Sequence, residues 1–354
     1  MKKLFFLIIF FSFSIYSCVA EDVEEQDVQQ KEIVQQKDIT SLPQLKNAYG
    51  INLSVYIYQR TLDDFAGKTA ELAKAITNFG FTDVYLSFSR NNVKIKSNTD
   101  DIRKLVAGLS ANNIKVHALA FSEINAIGDE QNETLEALND YQSSSSSRER
   151  FSGINFDIES HIIRQSRPNW KKVSDKYNLH HIDWQSDAGY GKEGANSKVM
   201  QFVLDQIWDI RQKTEGNNYI YSQALGHFFE DKYHEGNLSA GGINDFLKSC
   251  DYAIIMNYAD DPQRLIRQAM AEFTNANKPR SVEVAVKTSD NGVGDLATSF
   301  ADEGWGKMME SLVALCEAAK PYTAFRGIGF FEYQSLEELW KLKNAPLPST
   351  QNKR

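Results

Sequence analysis

Eight short apolar runs with strand character alternate with segments of helical spacing along the chain, and this alternation restricts its possible folds more than any other feature. The strand-like runs cover 51–58, 82–89, 115–121, 153–159, 219–225, 251–258, 281–287 and 327–333. Apolar residues recur at three-and-four spacing over 62–79, 99–112, 129–141, 197–214, 243–249, 261–277, 300–319 and 335–343, as they do on amphipathic helices. Thr99-Asp100-Asp101 opens the second helical segment, and Gly80 closes the first. Strict alternation implies parallel strands joined by crossover helices, and eight such units close an α/β (β/α)8 TIM barrel in one domain. A doubly wound open sheet is the competing architecture. It would carry a glycine-rich first turn, where this chain has Gln59-Arg60-Thr61. The barrel is expected over 47–344, with a tail over 345–354 and a serine-rich loop tip at 143–147.

Ahead of the barrel, Lys2 and Lys3 precede an apolar run over 4–15 that is too short to span a bilayer, and Cys18 follows Ser17. This pattern describes a signal peptide over 1–17. Its Ile-x-Ser-Cys ending resembles a bacterial lipobox, which implies a diacylated Cys18 and a chain anchored in the cell envelope, at the periplasmic side or surface of an outer membrane. Acidic and glutamine-rich residues dominate 18–46 and leave little apolar surface to bury, so this stretch is expected to be a flexible tether. A short helix over 28–39 is the alternative. The acidic residues directly behind Cys18 also resemble a surface-export signal.

Formal net charge is −8, with no basic stripe, which argues against nucleic acid as a partner. Cys250 and Cys316 fall on apolar elements and read as buried thiols rather than a disulfide or metal site. His180 and His181 are adjacent, so their side chains diverge, and they lack a third ligand nearby. No metal or cofactor is expected, and the chain is expected to be a monomer.

Chemistry concentrates in the fourth strand. Ile154, Phe156 and Ile158 alternate with Asn155, Asp157 and Glu159, so the three polar side chains share one face. Carboxylates at the end of a buried strand are costly unless they are paired or used. Two residues apart, Asp157 and Glu159 have Cβ atoms about 7 Å from one another, so one charge opposes ionisation of the other. A carboxylic acid kept protonated in this way can serve as a general acid.

The stretch Gly153-Ile154-Asn155-Phe156-Asp157-Ile158-Glu159 resembles the fourth-strand signature of family 18 glycoside hydrolases, the chitinases and endo-β-N-acetylglucosaminidases, written Asp-Gly-x-Asp-x-Asp-x-Glu. Gly153, Asp157 and Glu159 match, while Ser152 and Asn155 stand where the family has Asp. Met256-Asn257-Tyr258-Ala259-Asp260 on the sixth strand resembles the family's Met-x-Tyr-Asp, with Asp260 displaced by one residue. The resemblance implies Glu159 as the acid that protonates the leaving oxygen, Asp157 as the group orienting the substrate acetamido, and Tyr258 as donor to the acetamido oxygen. That oxygen is the family's nucleophile, so no second protein carboxylate attacks the sugar. The implied partner is an oligosaccharide or glycan containing β-linked N-acetylglucosamine. The family's eighth-strand Trp is missing, and Phe331 or Tyr333 would stand in for it.

Several polar residues fall at predicted strand ends and line the expected site: Glu123, Gln223, His227, Asn257, Lys287 and Glu332. The long connection over 160–196 would sit above them, carrying Trp170, Tyr177, Trp184 and Tyr190 either as sugar platforms or as a satellite core. His117 reads as a satisfied core histidine. An ion pair of Glu159 with Lys287 is the structural alternative to catalysis. A glycosidase with its nucleophile on strand seven is disfavoured because that strand ends in Lys287-Thr288. A metal-dependent phosphodiesterase would need ligands on strands one and two, where Ser54, Tyr56, Ser87 and Ser89 supply none. A barrel that binds carbohydrate without turnover remains the alternative function, motivated by Ser152, Asn155 and the missing Trp.

Overall fold

The computed structural model describes residues 39–88, 96–122, 128–162, 189–191, 194–290 and 298–343. The leader, Cys18, Glu123, Trp170, Tyr177, His180, His181 and Trp184 lie outside them. The chain divides into a unit Met1–Thr40, almost wholly outside the described residues, and a folded unit from Ser41 onward.

Eight parallel strands close a barrel in sequence order: β1 (Asn52–Ile57), β2 (Asp83–Ser87), β3 (Lys115–Ser122), β4 (Gly153–Asp157), β5 (Ile220–Gly226), β6 (Tyr252–Met256), β7 (Val282–Lys287) and β8 (Phe325–Phe331). Closure pairs β1 with β8, for example Ser54 opposite Gly329. The helices are α1 (Leu42–Tyr49), α2 (Gln59–Asp64), α3 (Thr69–Asn78), α4 (Lys96–Ser110), α5 (Gly128–Ser144), α6 (Ala195–Thr214), α7 (Phe229–His234), α8 (Ile243–Leu247), α9 (Pro262–Asn275), α10 (Gly304–Ala319) and α11 (Tyr333–Lys343). The expected (β/α)8 barrel is therefore what the chain forms. No helix among the described residues is long and apolar enough to cross a membrane.

Three local expectations need correction. Helix α1 occupies part of the expected tether because Leu42 and Leu45 are one turn apart and both buried, at 1% and 0% exposure. The single helix expected over 62–79 is two, α2 and α3, separated by a turn through Gly67, whose φ is 72°. Two residues of the serine run, Ser143 and Ser144, finish α5, where the Ser144 hydroxyl donates to the Asp140 carbonyl at 2.6 Å. Cys250 and Cys316 are buried free thiols, as expected, and burial pushes both thiols well up.

Most barrels of this kind fill their lower interior with branched apolar side chains. Here it holds a buried polar network. The Arg326 guanidinium bridges Asp83, at 3.0 Å, and Glu283. His117 Nε2 lies 3.0 Å from Asp83 Oδ1, while Tyr85 and Ser54 donate to Glu283 Oε1. Arg326 also stacks 3.9 Å over the Tyr252 ring. His117 is thus a core histidine, as its sequence context indicated. The tyrosines Tyr56, Tyr85 and Tyr252 cluster with Ile254 and Ala285 against this network.

Candidate active site

Parity decides which side chains enter the barrel mouth. The inward set on β4 is Gly153, Asn155 and Asp157, and Glu159 extends it two residues past the strand end. The opposite set packs outward: Phe156 lies 5.8 Å from Phe121 and is stacked at 6.3 Å on Tyr221. Asn155 is wholly buried, its Nδ2 donating to Ser222 Oγ at 2.8 Å on β5. It fixes the strand from within the barrel and does not reach the open cleft.

Asp157 stands among phenols. Burial raises the pKa values of Tyr56, Tyr58 and Tyr258, and the Asp157 carboxylate raises all three further. Glu159 adds to the effect on Tyr58 and Tyr258, so both carboxyls lie within electrostatic reach of these two hydroxyls. The three phenols remain protonated at neutral pH and can each donate to an anion or a substrate oxygen. The Tyr56 hydroxyl is buried without a hydrogen-bond partner beneath this group.

Aromatic rings enclose the mouth. Phe331, the last residue of β8, lies 5.5 Å from Tyr58, 5.8 Å from Tyr258 and 6.2 Å from Tyr56. Tyr56 and Tyr58 stack at 6.2 Å with 13° between their planes. Of the two residues the sequence offered in place of the missing Trp, Phe331 is the one whose ring lies at the mouth. Tyr333 is a correction: it begins α11, is wholly buried, donates to Glu337 at 3.1 Å and meets Phe79 edge-on in the helical layer.

Glu332 is half-buried at the mouth, its pKa raised by burial and lowered in part by Arg60. Its carboxylate is also felt by Tyr58. Lys287 ends β7 and is nearly buried, with its carbonyl accepting from Phe300 N at 3.0 Å. Asp260 is half-buried beyond β6, immediately before Asp261, which caps α9 by accepting from Arg264 N at 2.7 Å.

Gln223 and Asn257 are further corrections. Both occupy outward positions and are wholly buried. Gln223 Nε2 donates to the Ile158 carbonyl at 3.2 Å, pinning the backbone between the two carboxylates. Asn257 Nδ2 donates to the Leu265 carbonyl at 2.7 Å and ties β6 to α9. Each positions the rim and neither lines it. His227 serves the rim similarly, hydrogen-bonded to the Met256 backbone and 3.0 Å from Gln268 Nε2.

Tyr56, Tyr58 and His161 were not singled out as site residues from the sequence. The signal for the first two was present in Ser54-x-Tyr56-x-Tyr58, a polar and aromatic period of two that runs along β1 and one residue past its end. His161 lies on the 3-10 turn Ser160–Ile162, its Nε2 3.6 Å from Glu159 Oε2. No group of three or more ligating side chains suited to a metal occurs among the described residues.

No family model matches the chain, and no curated protein matches it. Among solved structures it is similar to the PgaB (BpsB) glycoside hydrolase domain of Bordetella bronchiseptica, at 12% identity over 84% of this chain and 99% of that one, with a TM-score of 0.54. A Group IV chitinase of Ostrinia furnacalis in complex with allosamidin superposes at 10% identity over 80% of this chain and 92% of that one, with a TM-score of 0.48. A GH18 chitinase of Pseudoalteromonas aurantia gives 10% identity over 83% and 99%, with a TM-score of 0.46. The first of these likenesses is one of fold.

Proposed function

We propose that the chain is a glycoside hydrolase that cleaves β-linked N-acetylglucosamine in glycans by a substrate-assisted, retaining mechanism. The observation that carries this reading is the placement of Asp157 and Glu159 two residues apart at the carboxyl end of β4, both acting electrostatically on Tyr58 and Tyr258, whose rings pack on Phe331. The fold shared with a glycoside hydrolase domain is consistent with it.

In the proposed reaction, a sugar ring rests on Phe331 with its scissile oxygen toward Glu159. The acetamido carbonyl oxygen attacks the anomeric carbon, the glycosidic C–O bond breaks, and the Glu159 proton passes to the leaving oxygen. Asp157 holds the acetamido N–H, and the Tyr258 hydroxyl steadies its oxygen. Water then opens the cyclic oxazolinium, losing its proton to the Glu159 carboxylate and restoring the acid. The protein acts as a monomer anchored through lipid on Cys18.

A second reading, carbohydrate binding without turnover, is favoured by Asn155. The amide at the position of the family's middle Asp is neutral and locked to Ser222, so it supplies no proton to the pair. Release of a chromophore from an N-acetylchitobioside separates the two. Hydrolysis by the wild type that falls at least about 100-fold in Glu159→Gln supports the enzyme. Equal rates in both proteins would discard it, and tight binding of the oligosaccharide without release would leave the lectin-like reading.

A further inference from the structure

The turn after Glu159 brings a second titratable group back to the acid. Ser160–Ile162 leaves the strand as a 3-10 turn, and its middle residue returns beside the side chain two positions earlier. His161 Nε2 lies 3.6 Å from Glu159 Oε2, and their side chains are 25% and 21% exposed. This separation is a little longer than a hydrogen bond and can close by a small rotation of the carboxyl.

The surroundings of His161 determine what it can offer. Its ring lies edge-on to Phe228, at 5.6 Å, and to Phe229, at 5.9 Å. Its Nδ1 is buried without a hydrogen-bond partner. A proton on Nδ1 would leave a buried N–H unmatched, whereas an unmatched lone pair is tolerated more readily, so the proton belongs on Nε2. Burial, reinforced by His227, lowers the His161 pKa to about 4, so the ring is neutral at neutral pH. His227 lies low as well, by burial and the nearby Arg264, partly countered by its bond to the Met256 backbone and by Asp231. The titratable side chains that interact with the two carboxyls include Tyr56 on β1, Tyr58 just past its end, Tyr258 beyond β6, and His161 itself.

We propose that His161 is a positioning residue that donates its Nε2–H to Glu159 Oε2 whenever the carboxyl is ionised, leaving Oε1 to exchange the catalytic proton. A neutral imidazole suits the task because it stabilises the carboxylate without competing for the proton. In the first step it lowers the cost of giving the proton away, and in the second it holds the carboxylate toward the incoming water. This role in turnover rests on Glu159 being the general acid; the contact itself does not.

The test reads Glu159 directly. In full-length protein labelled with glutamate carboxyl 13C, the Glu159 resonance is identified by its loss in Glu159→Gln and titrated in the wild type, His161→Phe and His161→Gln. His161→Phe fills the space without a donor, and His161→Gln keeps an N–H. The Glu159 midpoint is expected to rise by about one pH unit in His161→Phe, a tenfold change in proton affinity, and to stay near the wild-type value in His161→Gln. His161→Leu serves as the donor-free variant if the Phe variant does not fold. A midpoint that stays or falls in the donor-free variant overturns the proposal, as does a Gln variant that moves equally far. On a chitobioside substrate the alkaline limb of kcat/KM should move up with the midpoint, and kcat should fall several-fold with KM little changed. A shifted midpoint in a protein that hydrolyses nothing would sustain the His161 contact while ending the glycosidase reading. An unshifted midpoint with turnover lost in Glu159→Gln would do the reverse.

Discussion

Gly153 matches the family signature for a reason that concerns packing. A Cβ built on it would meet the Ile220 carbonyl at 2.2 Å and His117 Nδ1 at 2.3 Å, so the histidine ring occupies the volume a side chain would need. Gly153→Ala should therefore destabilise the protein by about 1–3 kcal/mol or more, since neither a backbone carbonyl nor a ring buried in the Asp83 network can yield cheaply. Denaturant unfolding checks this, and an unchanged midpoint would contradict it. The same alternation explains which site residues were legible. Asp157 and Glu159 could be found because a period of two puts them on one face. Gln223, expected at a strand end but central in β5, and Asn257, just past β6, take the opposite parity, where they bond the Ile158 and Leu265 carbonyls. A strand end read without its parity cannot separate the two groups. His161 was hidden for a different reason: a 3-10 turn brings it to Glu159, and no strand period applies there.

Element boundaries set the next limit. Tyr333 looked inward because the eighth strand was carried through it, but β8 stops at Phe331 and Tyr333 already belongs to α11. Once the chain turns helical, alternation no longer assigns a face, and Phe331 is left as the ring at the mouth. Helix α1 overlaps the expected tether by five residues, 42–46, because the acidic and glutamine-rich character of the preceding segment stops short of it. Its two leucines carry the signal, with Pro43 at the helix start and Gly50, φ 62°, ending it. Lys46 reinforces the docking by donating to the Gly80 carbonyl at 2.8 Å. Leu45→Ala should cost about 2–5 kcal/mol, the range for truncating a fully buried leucine. If residues up to 46 were only a tether, the substitution would leave the unfolding midpoint where it is.

For the molecule as a whole, the eight-strand alternation made the barrel legible, but its polar floor was not. Asp83, His117, Glu283 and Arg326 come from β2, β3, β7 and β8, and nothing in their local sequence announces that they meet. Gly329 permits the meeting, since a side chain there would lie 2.9 Å from Ser54 Oγ and 3.1 Å from Glu283 Oε1. Burial pushes the Asp83 carboxyl up, but the hydrogen bond with His117 and the charge of Arg326 outweigh it and hold Asp83 well below the usual range. Burial wins for Glu283, which is raised despite Arg326. A depressed carboxyl stabilises the fold above its unfolded pKa, about 3.9 for Asp, and loses that contribution as pH falls through the folded value. A raised one does the opposite, contributing below about 4.3 for Glu and losing the benefit as pH rises. Arg326→Met removes the cation between the two, so both carboxyls then resist ionisation. At pH 7 the variant should be less stable by about 3–5 kcal/mol, the cost of leaving a buried charge without its partner. Toward pH 4 the folded variant takes up protons that the wild-type Asp83 does not, and the gap should narrow. Urea unfolding of both proteins between pH 4 and 8 measures this difference, and a gap independent of pH would show that the floor is held by packing around Arg326 instead of its charge.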